Sequence, residues 1–443
     1  MSYTIGFISL GCAKNRVDSE IMLGQLRRAG YIFTGDINQA EVIIVNTCGF
    51  ITAAKEESIS AILEAARCKE TGRCRYLLVA GCLAQRYGNE LLQDLPEVDG
   101  VMGTGEVAEI VKVLNGIQAG ERPLAVGAPG YIHQIPAPRV LTTPKHTAYL
   151  KIAEGCDNHC SYCIIPSIRG PYRSRTMDDV VSEAQWLCSD GVRELIVVAQ
   201  ETTRYGRDIY GRYVLAELLR KLSTIDQCYW IRLMYCYPDS FTEELIELLA
   251  TSSKICRYID LPLQHINNRL LRMMNRRGSK ESIIKLVEKL RRFIPGVALR
   301  TTFIVGFPGE TEQEFGELLD FMEQVKFERA GVFAYSPEEG TPAAALPGRI
   351  SDDVVAERVE RAMLLQQRIS LAHNVGKVGQ EVTVLVEGWD ENEKMYWGRT
   401  EADAPEIDGR VYFTSRTVVR EGEFVQVKVL DAAEYDLSGV RTE

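Results

Sequence analysis

No stretch of the chain approaches the roughly 18 consecutive apolar residues that a membrane-spanning helix needs. Residues 1–10 lack the basic start and the apolar core of a secretory signal. The chain is therefore expected to be cytoplasmic, with no membrane partner. An excess of positive charge is missing too: 51 Lys and Arg stand against 61 Asp and Glu, a net charge of −10. That balance disfavours nonspecific binding to RNA and suits a small-molecule substrate or a basic protein partner. Disulfides are not expected, because cytoplasmic thiols are kept reduced. What the sequence does have is cysteine, twelve in all. In a reducing compartment cysteines serve metal binding, catalysis or ordinary burial.

Apolar content of 46% supports full cores, and 443 residues are too many for one ordinary domain. Residues 1–120 alternate strand-like runs (Ile5–Leu10, Val42–Val45, Leu77–Ala80) with helix-like ones (near Asp18–Arg28 and Ala53–Arg67), as in a parallel sheet with covering helices. Residues 121–146 carry Pro123, Pro129, Pro136, Pro138 and Pro144 and read as an extended connector. From 147 to 375 six strand candidates alternate with helical patterns, fewer than the eight of a closed TIM barrel. One of those helical patterns runs unbroken over Asn267–Arg292, and a charged one covers Ser351–His373. Residues 376–443 carry short alternating runs (Val382–Val386, Val411–Thr414, Phe424–Val429) with Gly and Asp between them, as in a small OB-like β-barrel. The expected fold class is α/β: an amino-terminal α/β domain, a partial (β/α)6 barrel and a small carboxyl-terminal β-barrel.

Six cysteines sort into two trios. Cys156, Cys160 and Cys163 form a compact C-x3-C-x2-C run. Cys12, Cys48 and Cys82 are dispersed, each just past one of the three apolar runs of the first domain. Ligands of open α/β sheets gather beyond the carboxyl ends of the strands, so this placement brings three distant thiols together. Three cysteines are one short of the usual four of an iron–sulfur cluster, which leaves one iron open. Structural zinc takes four protein ligands, often as paired C-x2-C units, and no second pair lies near Cys160 and Cys163. His159, inside the loop, reads as a solvent or outer contact rather than a ligand. Cys68, Cys74, Cys188, Cys228, Cys236 and Cys256 read as ordinary buried thiols, with half a metal site at Cys68 and Cys74 as the alternative.

The C-x3-C-x2-C run, with Tyr162 before its last cysteine, resembles the signature of the radical S-adenosylmethionine enzymes. The resemblance implies a 4Fe-4S cluster whose open iron chelates S-adenosylmethionine, which one electron splits to a 5′-deoxyadenosyl radical. It assigns cofactor contacts to Gln200 and Glu201, at the end of a barrel strand, and to Arg300, Thr302 and Gly306, on the strand leading into Gly306-Phe307-Pro308-Gly309-Glu310. The contexts Leu10-Gly11-Cys12-Ala13-Lys14-Asn15, Asn46-Thr47-Cys48-Gly49 and Ala80-Gly81-Cys82-Leu83 resemble the amino-terminal domain of the methylthiotransferases. This implies a second 4Fe-4S cluster on Cys12, Cys48 and Cys82, and a carboxyl-terminal TRAM module.

One branch of that family modifies an adenosine of transfer RNA, and another the β-carbon of an aspartate in small-subunit ribosomal protein S-twelve. From Lys377 to Glu443 there are 15 acidic against 8 basic residues, a net of −7, which favours a basic protein over a phosphate backbone. Leu261-Pro262-Leu263-Gln264-His265, Tyr335-Ser336-Pro337-Glu338-Glu339-Gly340-Thr341 and Asp403-Ala404-Pro405-Glu406-Ile407-Asp408-Gly409 resemble the protein-modifying branch. The resemblance therefore implies ribosomal protein S-twelve as partner, with RNA binding not expected. His265, Asp403 and Glu406 are expected to face substrate, although His265 also fits a hydrogen-bonded structural histidine. An electron donor such as a flavodoxin or ferredoxin is implied; the sulfur donor is not. Alternatives that stay open are a transfer-RNA methylthiotransferase and a noncatalytic iron–sulfur electron carrier or redox sensor.

Overall fold

A computed structural model describes residues 3–134 and 138–442; Pro136 lies outside them. The first unit is a six-stranded all-parallel sheet of β1 Thr4–Ser9, β2 Ile32–Phe33, β3 Val42–Thr47, β4 Tyr76–Gly81, β5 Gly100–Met102 and β6 Leu124–Ala125, in the order β2-β1-β3-β4-β5-β6. Helices α1 Ala13–Arg28, α2 Thr52–Thr71, α3 Cys82–Asp94 and α4 Ile110–Gln118 connect and cover it. β3 is buried at every position, as a central parallel strand with both faces covered must be. β1, β3 and β4 are sheet neighbours, so their carboxyl ends lie side by side.

The six-stranded sheet of the second unit is also all parallel. β7 Thr147–Lys151 is followed by a short antiparallel pair, β8 Ala153–Glu154 with β9 Arg173–Ser174. Then come β10 Glu194–Val198, β11 Trp230–Leu233, β12 Ile255–Asp260, β13 Ala298–Val305 and β14 Arg329–Ala334, in the order β14-β13-β12-β11-β10-β7. This is the open six-stranded barrel the alternation predicts. The helical pattern over 267–292 breaks into Asn268–Met273 and Lys280–Phe293, because Asn275 (φ 52°) and Gly278 (φ 88°) turn left-handed between them. The third unit closes into a barrel of β15 Glu381–Asp390, β16 Met395–Arg399, β17 Val411–Thr414, β18 Phe424–Ala432 and β19 Leu437–Arg441. Among the described residues no helix is long and apolar enough to cross a membrane.

The connector is more structured than its prolines suggest. Leu124 and Ala125 pair with β5, and Arg139 is buried between Glu20 and Glu183. At the amino-terminal end of the strands the third unit plugs the barrel. Arg399 and Arg232 both reach the buried Glu194 carboxylate, at 2.5 and 2.8 Å. Burial raises the Glu194 pKa, but the two guanidinium groups outweigh it and hold it at about 2. A carboxyl with a depressed folded pKa adds stability above its unfolded pKa and loses it as pH falls through the folded value. The gap in unfolding free energy between wild type and Glu194→Gln should therefore be on the order of 3 kcal/mol near neutrality. Urea titrations should show it shrinking as pH is lowered from about 5 to about 3. A gap that stays constant with pH would contradict the assignment.

Candidate functional site

The local sequence around each dispersed cysteine fixes where its thiol points. Gly81 has φ +95°, and a Cβ there would lie 2.2 Å from the Asn46 side-chain oxygen and 2.7 Å from the Thr47 carbonyl. Only glycine lets β4 pass this close to β3 before Cys82 opens α3. Gly11 plays the same part before Cys12, the N-cap of α1. Asn15 donates to the Leu10 carbonyl at 2.7 Å, and Asn46 to the Asn15 carbonyl at 3.0 Å and the Ser19 hydroxyl at 2.7 Å. The Ser58 hydroxyl closes on both the N–H and the carbonyl of Cys48 at 3.0 and 2.9 Å. Strand ends, asparagines and glycines thus act as one frame for three thiols.

The C-x3-C-x2-C loop is framed from the barrel side. The Cys156 N–H donates to the Gly170 carbonyl at 3.1 Å, Ser161 is tied to Met273 and Met274, and Asn275 holds the His159 carbonyl at 2.6 Å. The His159 side chain is exposed. Both trios line one cavity of about 370 Å³, together with Lys14, Asn158, Tyr162, Arg169, Gln200, Tyr235, Cys236, Gln264, Arg276 and Thr302. Among the described residues no group of His, Cys, Asp and Glu converges tightly enough for a single metal ion. Zinc would need its ligands about 2.3 Å from one point; a multi-iron cluster spreads three thiols around a larger body.

The electrostatics suit bound anions. Confinement disfavours the Cys12 thiolate, but the Lys14 and Arg169 cations outweigh it and lower the pKa. Burial pushes Cys48, Cys156 and Cys163 up to about 12, and raises Cys82 as well. In the first trio α1 and α3 also aim their positive amino-terminal ends at the site. Loading a cluster must displace protons from the raised thiols. On the barrel side, Gln200 donates to Glu154 at 2.5 Å, while its Oε1 is buried with no partner in the structure. That orphaned acceptor fits an ammonium group such as that of S-adenosylmethionine.

Arg169, on helix α5 Ile165–Arg169, ties the two halves of the cavity together. It reaches Asp18 at 2.5 Å and Asn15 at 3.1 Å in the first unit, Glu154 at 3.3 Å in the second, and the Cys82 sulfur at 3.3 Å. Lys151 completes the buried cluster through Asp18 and Glu154. Arg169→Met would leave two buried carboxylates with one cation, so a loss of about 3–5 kcal/mol is expected in equilibrium unfolding. A loss below about 1 kcal/mol would show that the cluster does not join the units.

Of the candidate ligand and contact residues the sequence points to, the six cysteines, Gln200 and Thr302 line the cavity, as do Tyr162 and Gln264 of the quoted motifs, while Glu201, Arg300, Gly306, His265, Asp403 and Glu406 do not. Glu201 is buried behind it, accepting from Asn158 at 2.5 Å and Ser240 at 3.0 Å, and so orients Asn158. Arg300 is turned to Asp260 at 2.8 Å and towards Asp408. Gly306 forms a turn at φ +78° where a Cβ would meet Val355 at 2.5 Å, leaving no room for a larger residue. The expectation that His265 and Asp403 face substrate is corrected. His265 is fully buried, with Nε2 3.1 Å from Glu310. Asp403 is buried against Arg329 at 2.7 Å. Glu406 is exposed, but it pairs with Arg16 and lines a separate cavity at the junction of the three units.

The acidic word around Asp403 is therefore a plug rather than a docking face. Arg232 donates to the carbonyls of Glu401 and Thr400, the Tyr258 hydroxyl to Asp408, and the Arg257 N–H to the Glu401 carboxylate. Reversing Glu401, Asp403, Glu406 and Asp408 to Lys together should undock the carboxyl-terminal barrel, read as rapid proteolysis near residues 376–380. Glu406→Lys alone, at an exposed pair, should shift stability by less than about 1 kcal/mol. Equal protease resistance of the fourfold variant and wild type would refute the plug.

Sequence reasoning missed Lys14, Arg169, Tyr235, Arg276 and Cys236. Lys14 lies two residues beyond Cys12, a hint in the spacing; for the others the only signal is a fold that brings distant segments together.

Three family models match the chain: the Radical SAM superfamily over residues 150–322, the Uncharacterized protein family UPF0004 over residues 4–103, and the TRAM domain over residues 378–441. A protein of Pelotomaculum thermopropionicum, named ribosomal protein uS12 methylthiotransferase RimO, is 57% identical over 440 residues, covering 99% of each chain. Proteins of the same name from Desulforamulus reducens and Clostridioides difficile are 53% and 49% identical, each over 98% of this chain and 99% and 98% of theirs. Among solved structures, the radical S-adenosylmethionine methyltransferase TsrM from Kitasatospora setae has a TM-score of 0.58 at 16% identity, covering 77% of this chain and 74% of that one. That likeness is one of fold.

Proposed function

Because the chain belongs to the RimO family of ribosomal protein uS12 methylthiotransferases, we propose that its two cysteine trios hold two 4Fe-4S clusters that serve one substrate in one cavity. The enzyme is a radical S-adenosylmethionine methylthiotransferase, and ribosomal protein uS12 is its substrate. The finer reading is that the methylthio group replaces a hydrogen on the β-carbon of an aspartate. The observation that carries it is the shared cavity: the compact and the dispersed trio line the same space. An electron carrier would have no use for two incomplete ligand sets opening on a common void.

The target C–H bond is not acidic enough for a side-chain base, so ordinary proton chemistry cannot reach it. With its cofactor bound, the Cys156, Cys160 and Cys163 site supplies a radical able to take such a hydrogen atom. The chain's own residues supply position. Gln200 would offer its unpartnered carbonyl oxygen to the cofactor's ammonium group, and Thr302 also lines the cavity. Cys12, Cys48 and Cys82 would hold the sulfur-bearing site in the same cavity, and Arg169 ties Cys82 of that trio to Glu154 of the barrel. Apolar lining from Ile165, Ile168, Phe50 and Pro262 limits water around a reactive species. A reduced flavodoxin or ferredoxin fits the need for an electron.

Mass spectrometry of uS12 from a host lacking its own enzyme tests the reading. With this chain supplied, one aspartate-containing peptide should gain a methylthio group in place of a hydrogen. An unmodified uS12 together with modified transfer RNA would move the chain to the RNA-modifying branch.

A further inference from the structure

Beside Cys12 in the cavity stands a cation with no carboxylate partner among the described residues. Lys14, the second residue of α1, is only 7% exposed, yet it lines the cavity. Its Nζ lies 3.2 Å from the centroid of the Tyr235 ring. Among the described residues no carboxylate forms an ion pair with it. The other cations of the cavity are engaged. Arg169 is held by Asp18, Glu154 and Asn15, while Arg276 donates to the Pro262 carbonyl at 2.6 Å and lies 4.2 Å over the Tyr237 ring. The Cys12 thiolate and the Tyr235 ring offset only part of the cost of burying this charge, so the ammonium facing the cavity is available to an anion that enters.

The platform beneath Lys14 is built with equal care. Tyr235 adopts φ 60°, a backbone region that bulky residues rarely occupy. Its N–H donates to Asp260 at 3.0 Å, and its carbonyl accepts from the Thr202 N–H and hydroxyl at 3.0 and 3.1 Å. Those bonds hold the ring under the ammonium against the strain, as sites of function do. A ring face stabilises the buried cation in part.

We propose that Lys14 binds the carboxylate of the substrate's acidic side chain and thereby selects aspartate over its amide. This rests on the function proposed above. The carboxylate of an aspartate is one bond from its β-carbon. Anchoring the carboxylate at Lys14 therefore fixes that carbon between the radical-generating trio and the sulfur-bearing trio. The amino-terminal end of α1, where Lys14 sits, favours the same anion. S-adenosylmethionine also carries a carboxylate, so the test must separate the two sources.

The test titrates reconstituted enzyme with uS12 and with uS12 whose modified aspartate is replaced by asparagine, using wild type, Lys14→Met and Lys14→Arg. Asparagine should weaken binding to wild type about tenfold or more, the range of a charge-assisted hydrogen bond in a dry site. Lys14→Met should bind both forms of uS12 alike, and Lys14→Arg should recover part of the preference. Affinity for S-adenosylmethionine should be the same in wild type and Lys14→Met. Equal binding of the two uS12 forms by wild type would overturn the proposal whether or not Lys14→Met folds. A Lys14→Met variant that keeps the aspartate preference and loses S-adenosylmethionine affinity would also overturn it, assigning Lys14 to the cofactor. If wild type never methylthiolates uS12, the functional reading fails; if it does and both forms bind alike, only the role of Lys14 fails.

Discussion

Replacing Cys12, Cys48 and Cys82 together by alanine should halve the iron of the reconstituted enzyme, from about eight to about four atoms per chain. The expectation follows from the geometry of the strand ends. β1, β3 and β4 are adjacent and parallel, so three thiols 36 and 34 residues apart in sequence open on one space. Removing all three leaves no thiol on that wall, and the Cys156 trio is untouched because a separate loop frames it. Iron and acid-labile sulfide analysis reads the outcome. A triple variant with full iron content would mean that the dispersed cysteines are structural.

The second large effect separates the two sites by what each variant loses. Cys156→Ala should abolish reductive cleavage of S-adenosylmethionine, because it removes one of the three thiols that hold the radical-generating site. Cys48→Ala should retain that cleavage and form no methylthiolated uS12. Both thiols line the same cavity, so a difference in phenotype comes from chemistry rather than from access. Anaerobic assays of 5′-deoxyadenosine and of modified uS12 follow the two losses independently. Normal product from Cys48→Ala would remove the dispersed trio from the reaction.

Much of this arrangement was legible in the sequence, for a physical reason. Parallel α/β units place ligands at the carboxyl ends of strands, so three cysteines just past three apolar runs already imply one site. The C-x3-C-x2-C spacing is local and needs no tertiary information. The shared cavity was not legible, because it depends on how the first unit docks on the open barrel. That docking runs through Asp18, Lys151, Glu154 and Arg169, in which Asp18 bonds Lys151 and Arg169, 133 and 151 residues away in sequence.

Charge counting at the carboxyl-terminal module pointed to the protein-modifying branch but overstated the exposed charge, for a similar reason. A net of −7 treats every acid as surface, whereas Asp403 and Asp408 are consumed by Arg329, Tyr258 and Arg300 at the base of the barrel. His265 was ambiguous in sequence, since a strand-end histidine can turn either way; burial against Glu310 decides for structure. Lys14 shows the opposite failure. A lysine in the first turn of a helix reads as solvated, and only the fold reveals that it is enclosed.

Electron paramagnetic resonance of the fully reduced enzyme tests most directly whether two clusters share one cavity. Two reduced paramagnetic clusters held by trios that line one cavity of about 370 Å³ would be close enough to couple magnetically. The wild-type spectrum should therefore differ, by splitting and by faster relaxation, from the sum of the spectra of two triple variants, one lacking Cys12, Cys48 and Cys82 and the other lacking Cys156, Cys160 and Cys163. A wild-type spectrum that superimposes on that sum would place the clusters apart and contradict the shared site.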